Sequence, residues 1–505
     1  MKNIILLAIV LFLSAGFSCT DFLDEKPTGT MATDSPLSSL ESCTALANSP
    51  YSNLTVFDQN EGTWGGNTIW LLEFMTGKVY SEAAQAEFID YRTLTLNSRS
   101  RYIQMWWQDC YAGIAKANLA IQKIPEFTQV SETVRSKYMG EVRFLRALYY
   151  FYLVRIFGDI PKIDVVQSQL SELYIERSPV KTIYDEIIIP DLLAADSSSL
   201  PAKDETGRVS MGAVKALLAD VYLNYAGFPV NAGKDAYSES AKRSAELINA
   251  KNYSLFDNYS EMRLPANNNK KEFIFQVQFS LDKSHNDIVP KVLPPKSDIS
   301  VYSSEYGSLV PTKEFYDSYI TGDKRAEERQ FFFSWYPASP TKTNDPDRLQ
   351  RVDFGGQYIY KFFDETAIRT TGKSTLNWTL YRYADVLLMY AEAQAASDGT
   401  ANNLALESLN KVRKRANLPD FTNSNGTDFI KAVWDERYHE LCFESKMWFD
   451  QVRTRKIRND FTGNYDNYVG YKTVFGTTLT EKFLLFPLPQ SELNANPKLK
   501  QNPNY

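Results

Sequence analysis

Leu145, Leu148, Tyr149, Tyr152, Leu153 and Ile156 recur at the three- and four-residue spacing of one helical face. A second stripe, Phe144, Ala147, Phe151 and Val154, runs along another side, so the helix expected over 140–163 packs between neighbours. Gly158 suits the backbone conformation that closes a helix, and Pro161 blocks its resumption. Ile103, Trp106, Trp107, Cys110, Ile114, Ala117, Ile121 and Ile124 predict a partner helix over 101–124, ending before Pro125. Two long helices joined by a short connection make an antiparallel hairpin. The arrangement recurs in helical patterns over 180–195 and 211–226, then 235–250, 380–397, 404–417 and 428–455, with a short helix at 37–47. No strict period emerges. The pattern predicts a mainly α fold of tetratricopeptide-like stacked helical hairpins.

Between the helical halves the texture changes. Phe273, Phe275, Val277 and Phe279 alternate with Ile274, Gln276, Gln278 and Ser280, close to the period of a half-buried strand. A second strand is expected at 356–363. The rest of 251–379 is long connection, forming a loop-rich lobe with a few short β-strands. It holds Tyr302, Tyr306, Phe331, Phe332, Phe333, Trp335, Tyr336 and Tyr358. The stretch 51–91 resembles it, with Trp64-Gly65-Gly66-Asn67, Trp70 and Tyr80 in weak periodicity. Long connections of this kind are usually functional.

Composition adds two points. Thirty-one Tyr, thirty Phe and eight Trp exceed the needs of a helical core and leave a surplus for a recognition surface. The net charge of -6 comes without the basic cluster that nucleic-acid phosphates require, so no nucleic-acid partner is expected.

Lys2, the apolar run 4–13 and small Ser14, Ala15 and Gly16 form a secretory signal over 1–18, too short to span a bilayer comfortably. Its end at Ser18-Cys19 points to a bacterial lipoprotein with an acylated Cys19, although Phe17 departs from the strict lipobox. Ordinary cleavage near Cys19 is the alternative. Residues 19–36 then read as an acidic tether broken by Pro27, Gly29 and Pro36. The body divides into a helical region 37–250, the lobe 251–379 and a second helical region 380–505. Cys43, Cys110 and Cys442 are odd in number and fit no zinc spacing, so no disulfide framework is expected.

Catalytic chemistry has little material. His285 and His439 are the only histidines, and the sequence from His439 to Phe443 lacks the second histidine of a zinc-protease motif. Gly372-Lys373-Ser374 has Ala367 where a phosphate-binding loop needs glycine. Among 61 acidic residues no carboxylate pair stands out. No metal and no cofactor is expected. Arg437 shares a helical side with Ile430, Trp434 and Leu441, near Glu440 and Glu444, and reads as an internal ion pair.

Several stretches together resemble the SusD/RagB family of outer-membrane nutrient-binding lipoproteins. They are GEVRFLRALYYFYLVRIFGDIP at 140–161, YRYADVLLMYAEA at 381–393, LNKVRKRANLP at 409–419, ERYHELCFESKMWFDQVR at 436–453 and FPLPQSELNANPKLKQNPNY at 486–505. The resemblance implies a lipid-anchored, surface-exposed partner of a SusC-like TonB-dependent outer-membrane transporter that captures an oligosaccharide without catalysis. A peptide or other non-sugar cargo is the alternative, and a surface glycosidase a third reading. The matching stretches are scaffold, so Trp106, Trp107, Trp434 and Trp448 are expected in the core and Trp378 is ambiguous. The expected ligand-binding residues are Trp64, Asn67, Trp70, Tyr80, Tyr302, Tyr306, Trp335, Tyr336 and Tyr358. Rigid aromatic faces cover the C–H faces of sugars while polar neighbours take the hydroxyls.

Overall fold

The structure is a computed structural model that describes residues 39–58, 68–83, 93–167, 169, 174–286, 288–301 and 305–505. The first helices are α1 (Leu40–Asn48) and α2 (Thr68–Phe74), followed by strand β1 (Val79–Tyr80). The hairpin that organises the molecule is α3 (Arg101–Lys123) and α4 (Glu132–Phe157). Ser131 caps α4 by accepting from the Val134 amide, and Gly158 closes it at φ 74°, a conformation that favours glycine. From Gly140 to Phe157 nearly every side of α4 is buried, as its two apolar stripes require. On α3, Gly113 lies directly beneath the Tyr149 ring, where any side chain would overlap it. Trp106 stacks on Tyr152 with centroids 5.5 Å apart, and the Tyr149 hydroxyl donates to the Pro50 carbonyl at 2.6 Å.

The helical series continues through α5 (Val180–Ile183), a π turn at Tyr184–Ile188, and α6 (Ile189–Asp196), then α7 (Met211–Ala226) and α8 (Lys234–Ala250). The chain next enters the lobe with β2 (Phe273–Val277), β3 (Val310–Pro311), β4 (Phe332–Tyr336) and β5 (Val352–Ile359). It returns through β6 (Trp378–Arg382) to α9 (Tyr383–Asp398), α10 (Asn403–Arg415), α11 (Gly426–Glu440) and α12 (Met447–Thr454). Helix packing around one large core makes the fold mainly α, and small residues let the helices approach, as where Ser240 donates to the Ala219 carbonyl at 2.8 Å.

Four sequence expectations shift. The strand at 273–277 forms but is buried on both faces, with Phe275 against Phe144 and Phe273 against Phe256. The strand expected at 356–363 lies at Val352–Ile359, where it pairs antiparallel with β4. The helix expected over 428–455 is two helices separated at 441–446, and residues 380–382 belong to β6 rather than to α9. At the 441–446 break Phe443 and Ser445 take left-handed conformations, φ 63° and 56°. Their cost is offset by tertiary partners: Glu73 accepts from the Ser445 amide at 2.5 Å and Arg382 donates to the Glu440 carbonyl at 2.8 Å.

That break sits in a buried ionic network joining lobe and helices. Arg382 on β6 binds Glu272, Glu440 and Glu444 at 2.8–2.9 Å, and Arg415 reaches Glu272 and Glu440 at 2.5 and 2.7 Å. Arg325 adds Glu436 at 2.6 Å and Glu440 at 3.2 Å. Burial alone raises a carboxyl pKa, yet Arg415, Arg382 and Arg325 hold Glu440 well below the usual carboxylate range. Burial wins at Glu73, pushing it up to about 7. Arg437 is an internal ion pair, but its partners are Asp385 and Asp450, at 2.8 and 2.9 Å. Cys43, Cys110 and Cys442 are buried free thiols.

Candidate functional site

The lobe has a core of its own, built by Leu293, Ile299, Val310, Phe333, Tyr336, Tyr358, Tyr360, Phe363 and Ile368. This core explains where the surplus aromatics go. Tyr336 and Tyr358 are buried members of it, not free platforms. Tyr336 donates to Glu365 at 2.6 Å and Tyr358 to Glu82 at 2.8 Å; burial and these carboxylates push both phenols up. Trp70 is 1% exposed within α2, which also excludes it as a sugar platform. The physical reason is common to all three. A ring flanked by β-branched and aromatic neighbours removes more apolar area from water inside the lobe than it would at a rim.

Tyr80, Tyr306 and Trp335 remain partly exposed. Tyr80 lies on β1, paired with Val310 of β3, and its ring meets Phe475 edge-on at 6.4 Å. Tyr306 is fixed by its neighbours: the Gly307 carbonyl accepts from the Glu82 amide at 2.9 Å, and Glu305 accepts from the Asp298 and Ser300 amides at 2.9 and 2.6 Å. Glu82 thereby links Tyr358 to the backbone beside Tyr306. Trp335 projects from the other end of the ribbon, opposite Asp353 of β5. β5 bulges between Asp353 and Tyr358, which pair with Trp335 and Phe333 only two residues apart on β4, so Trp335 lies about 7 Å along the ribbon from the pair that holds Tyr358. Trp335 is flanked by the guanidinium groups of Arg329 and Arg351, 4.2 and 4.6 Å from its ring. A sugar stacking there displaces one of them, and Arg351 is the exposed one. Trp64, Asn67 and Tyr302, with Cys19, the residue expected to be acylated, lie outside the described residues.

Near the Tyr336–Glu365 pair the lobe opens into a cavity of about 560 Å³ lined by Arg263, Tyr360, Phe363, Glu365, Lys373 and threonines 366, 370, 371 and 375. Tyr360 and Phe363 stack at 4.5 Å to form its aromatic wall. Arg263 is held by the Gln330 and Arg329 carbonyls at 3.2 Å, and burial pulls its pKa down. Hydroxyl, carboxylate and guanidinium groups beside stacked rings suit a polyhydroxylated ligand. The sequence reading passed over these residues. The signal was present in the threonine-rich run that follows Phe362-Phe363. Among the described residues no cluster of three or more His, Cys, Asp or Glu side chains is arranged to hold a metal ion.

Trp106, Trp107 and Trp448 are buried in the helical core as expected, Trp378 joins them, and Trp434 is half-buried against Tyr465. Among the described residues no helix is long and apolar enough to cross a membrane.

The chain is similar to known proteins over nearly its whole length. The SusD family profile matches residues 271–505, and a profile described as "Starch-binding associating with outer membrane" matches residues 21–223. A solved SusD superfamily protein from Parabacteroides distasonis is 57% identical, with a TM-score of 0.90 over 92% of this chain and 99% of that one. SusD-like protein P2 of Formosa agariphila is 26% identical over the full length of both chains. The starch-binding protein SusD of Bacteroides thetaiotaomicron is 26% identical over 74% of each. Helical hairpins, loop-rich lobe and matches across both halves agree: the chain belongs to the SusD family.

Proposed function

We propose that this chain is a non-catalytic, lipid-anchored glycan-binding protein of the outer-membrane surface that delivers oligosaccharide to a SusC-like TonB-dependent transporter. The observation that carries the reading is family membership across both halves, one of which matches a profile described as starch-binding and outer-membrane associated. The site geometry supports it. Tyr80, Tyr306 and Trp335 are partly exposed on a lobe rigidified by its own aromatic core, and Trp64, Asn67 and Tyr302 join them as candidates from the sequence alone. Stacking on such rings contributes about 1 kcal/mol each beyond area burial.

The corrected aromatic set defines the test. The triple substitution Trp64→Ala, Tyr306→Ala, Trp335→Ala lowers oligosaccharide affinity at least ~tenfold, about 1.4 kcal/mol, while leaving the unfolding midpoint nearly unchanged. Affinity equal to that of the parent chain would remove these residues from the site. Cys19→Ala releases the protein from the membrane fraction, and retention of the variant there would refute the lipid anchor.

A further inference from the structure

A cavity larger than that of the lobe lies outside it. A cleft of about 1,220 Å³ opens between the C-terminal end of α4, the 228–230 turn, α12 and the last residues of the chain. It exceeds the roughly 300–1,000 Å³ typical of small-ligand pockets. Six cationic residues line it (Arg155, Arg177, Lys181, Arg453, Arg455, Lys482) against two carboxylates, Asp159 and Glu481. Arg453 is neutralised by Glu392 at 2.6 Å, and Lys181 pairs with Asp185. Arg155 has only a long ion pair to Asp220, at 3.8 Å, and the other three have no such match among the described residues.

Arg155 is nine-tenths buried, with its guanidinium 3.6 Å from the Phe151 ring and 3.9 Å from Phe449. Its Nε donates to the Phe151 carbonyl, while Asp220 stands 3.8 Å away and already accepts from the Tyr381 hydroxyl at 2.7 Å. Arg177 donates to the Asp159 and Lys500 carbonyls and to the Asn502 side chain, all neutral acceptors. Arg455 donates to the Val452 carbonyl and covers the Phe228 ring at 4.9 Å; Lys482 lies 4.5 Å from the Tyr505 ring. Among the described residues none of Arg177, Arg455 and Lys482 has a carboxylate within 4.0 Å. Burial depresses the pKa of Arg177 and Arg455, the sign of cations held without adequate counter-charge.

The walls decide what kind of anion fits. The aromatic faces of Phe228 and Phe449 are covered by guanidinium groups, which removes them as sugar platforms. Apart from Tyr184, which is 3% exposed, what remains is aliphatic, chiefly Val230, Val452, Val469, Leu484 and Leu485, with Val469 46% and Phe228 42% exposed at the rim. Amide side chains of Asn467, Gln501 and Asn504 can pair with a peptide backbone. We propose that this cleft docks an extended segment of a partner protein in which carboxylates alternate with aliphatic side chains. The carboxylates meet Arg155, Arg455 and Lys482, and the aliphatic groups fill the valine and leucine walls.

Isothermal titration of the purified chain with an acetylated decapeptide of alternating Glu and Val tests this. The expected result is saturable binding that weakens with added NaCl and falls about tenfold or more in the double variant Arg455→Asn, Lys482→Ala. A Lys/Val decapeptide gives no binding. If the double variant loses its circular-dichroism melting transition, Lys482→Ala alone carries the comparison. No binding of the Glu/Val peptide, or binding unaltered by the substitutions, overturns the proposal. So does displacement by hexagalacturonate, which would make the cleft a site for anionic sugars. Neutral-glycan binding is measured separately, so either reading can fail without the other.

Discussion

At the scale of single residues, two positions turn sequence into measurable energy. Gly113 has no room for a Cβ beneath Tyr149, whose hydroxyl is tied to Pro50, so the ring cannot withdraw without breaking that bond. Gly113→Ala is expected to destabilise the chain by about 1–3 kcal/mol in urea unfolding, as overpacking does. Glu73 is the second. Its folded pKa, about 7, stands above the ordinary 4.5 because burial outweighs the Ser445 amide and Lys361. Its contribution is therefore complete below pH 4.5 and is lost as pH rises through 7. Glu73→Gln should flatten the decline in stability across that window, by up to about 3 kcal/mol at one unit per 1.4 kcal/mol. Parallel curves for the two proteins would show that Glu73 is not the group responsible. The same scale shows why the aromatic candidates were partly misplaced. Sequence counts rings but does not say which ring a neighbouring Leu293 or Ile299 will cover, and Tyr336 and Tyr358 were taken into the lobe's core.

At the scale of elements, helices were legible wherever their own periodicity determined them. Met211–Ala226 forms at its expected limits and α3 within one residue, because their stripes, caps and breakers are local. The break after Glu440 was not legible, since apolar spacing continues through Leu441, Phe443 and Met447 and the forces that open the chain come from distant Glu73 and Arg382. Strand β5 slipped for a related reason. Its first half, Val352-Asp353-Phe354-Gly355, runs into a pair of glycines that interrupts the pattern, and pairing with Trp335 and Tyr336 makes it a strand. Arg382 is the element-scale hinge of this account, because β6 delivers it to three glutamates at the junction of lobe and helices. Arg382→Met leaves those carboxylates without their central cation and is expected to cost about 3–5 kcal/mol, read as a lowered midpoint in chemical denaturation. A shift within experimental error would mean that Arg415, Arg325 and Lys361 suffice to hold the network.

At the scale of the whole molecule, a helical scaffold of stacked hairpins fixes a lobe that carries its own aromatic core, and the proposed ligand site draws on what that lobe leaves exposed. The architecture was readable because it repeats one local device, the amphipathic hairpin. Which candidate rings stay exposed was not readable, because that depends on which of several chemically equivalent rings a core takes in. Scaffold and recognition surface are thus separable, and substitutions in the exposed ring set should change binding with little effect on folding. Calorimetric titration of the purified chain against a panel of neutral oligosaccharides, with the product mixture analysed afterwards, tests the central claim most directly. The account predicts saturable binding to at least one glycan and an unaltered oligosaccharide after prolonged incubation; sustained cleavage, or binding confined to peptides, would contradict it.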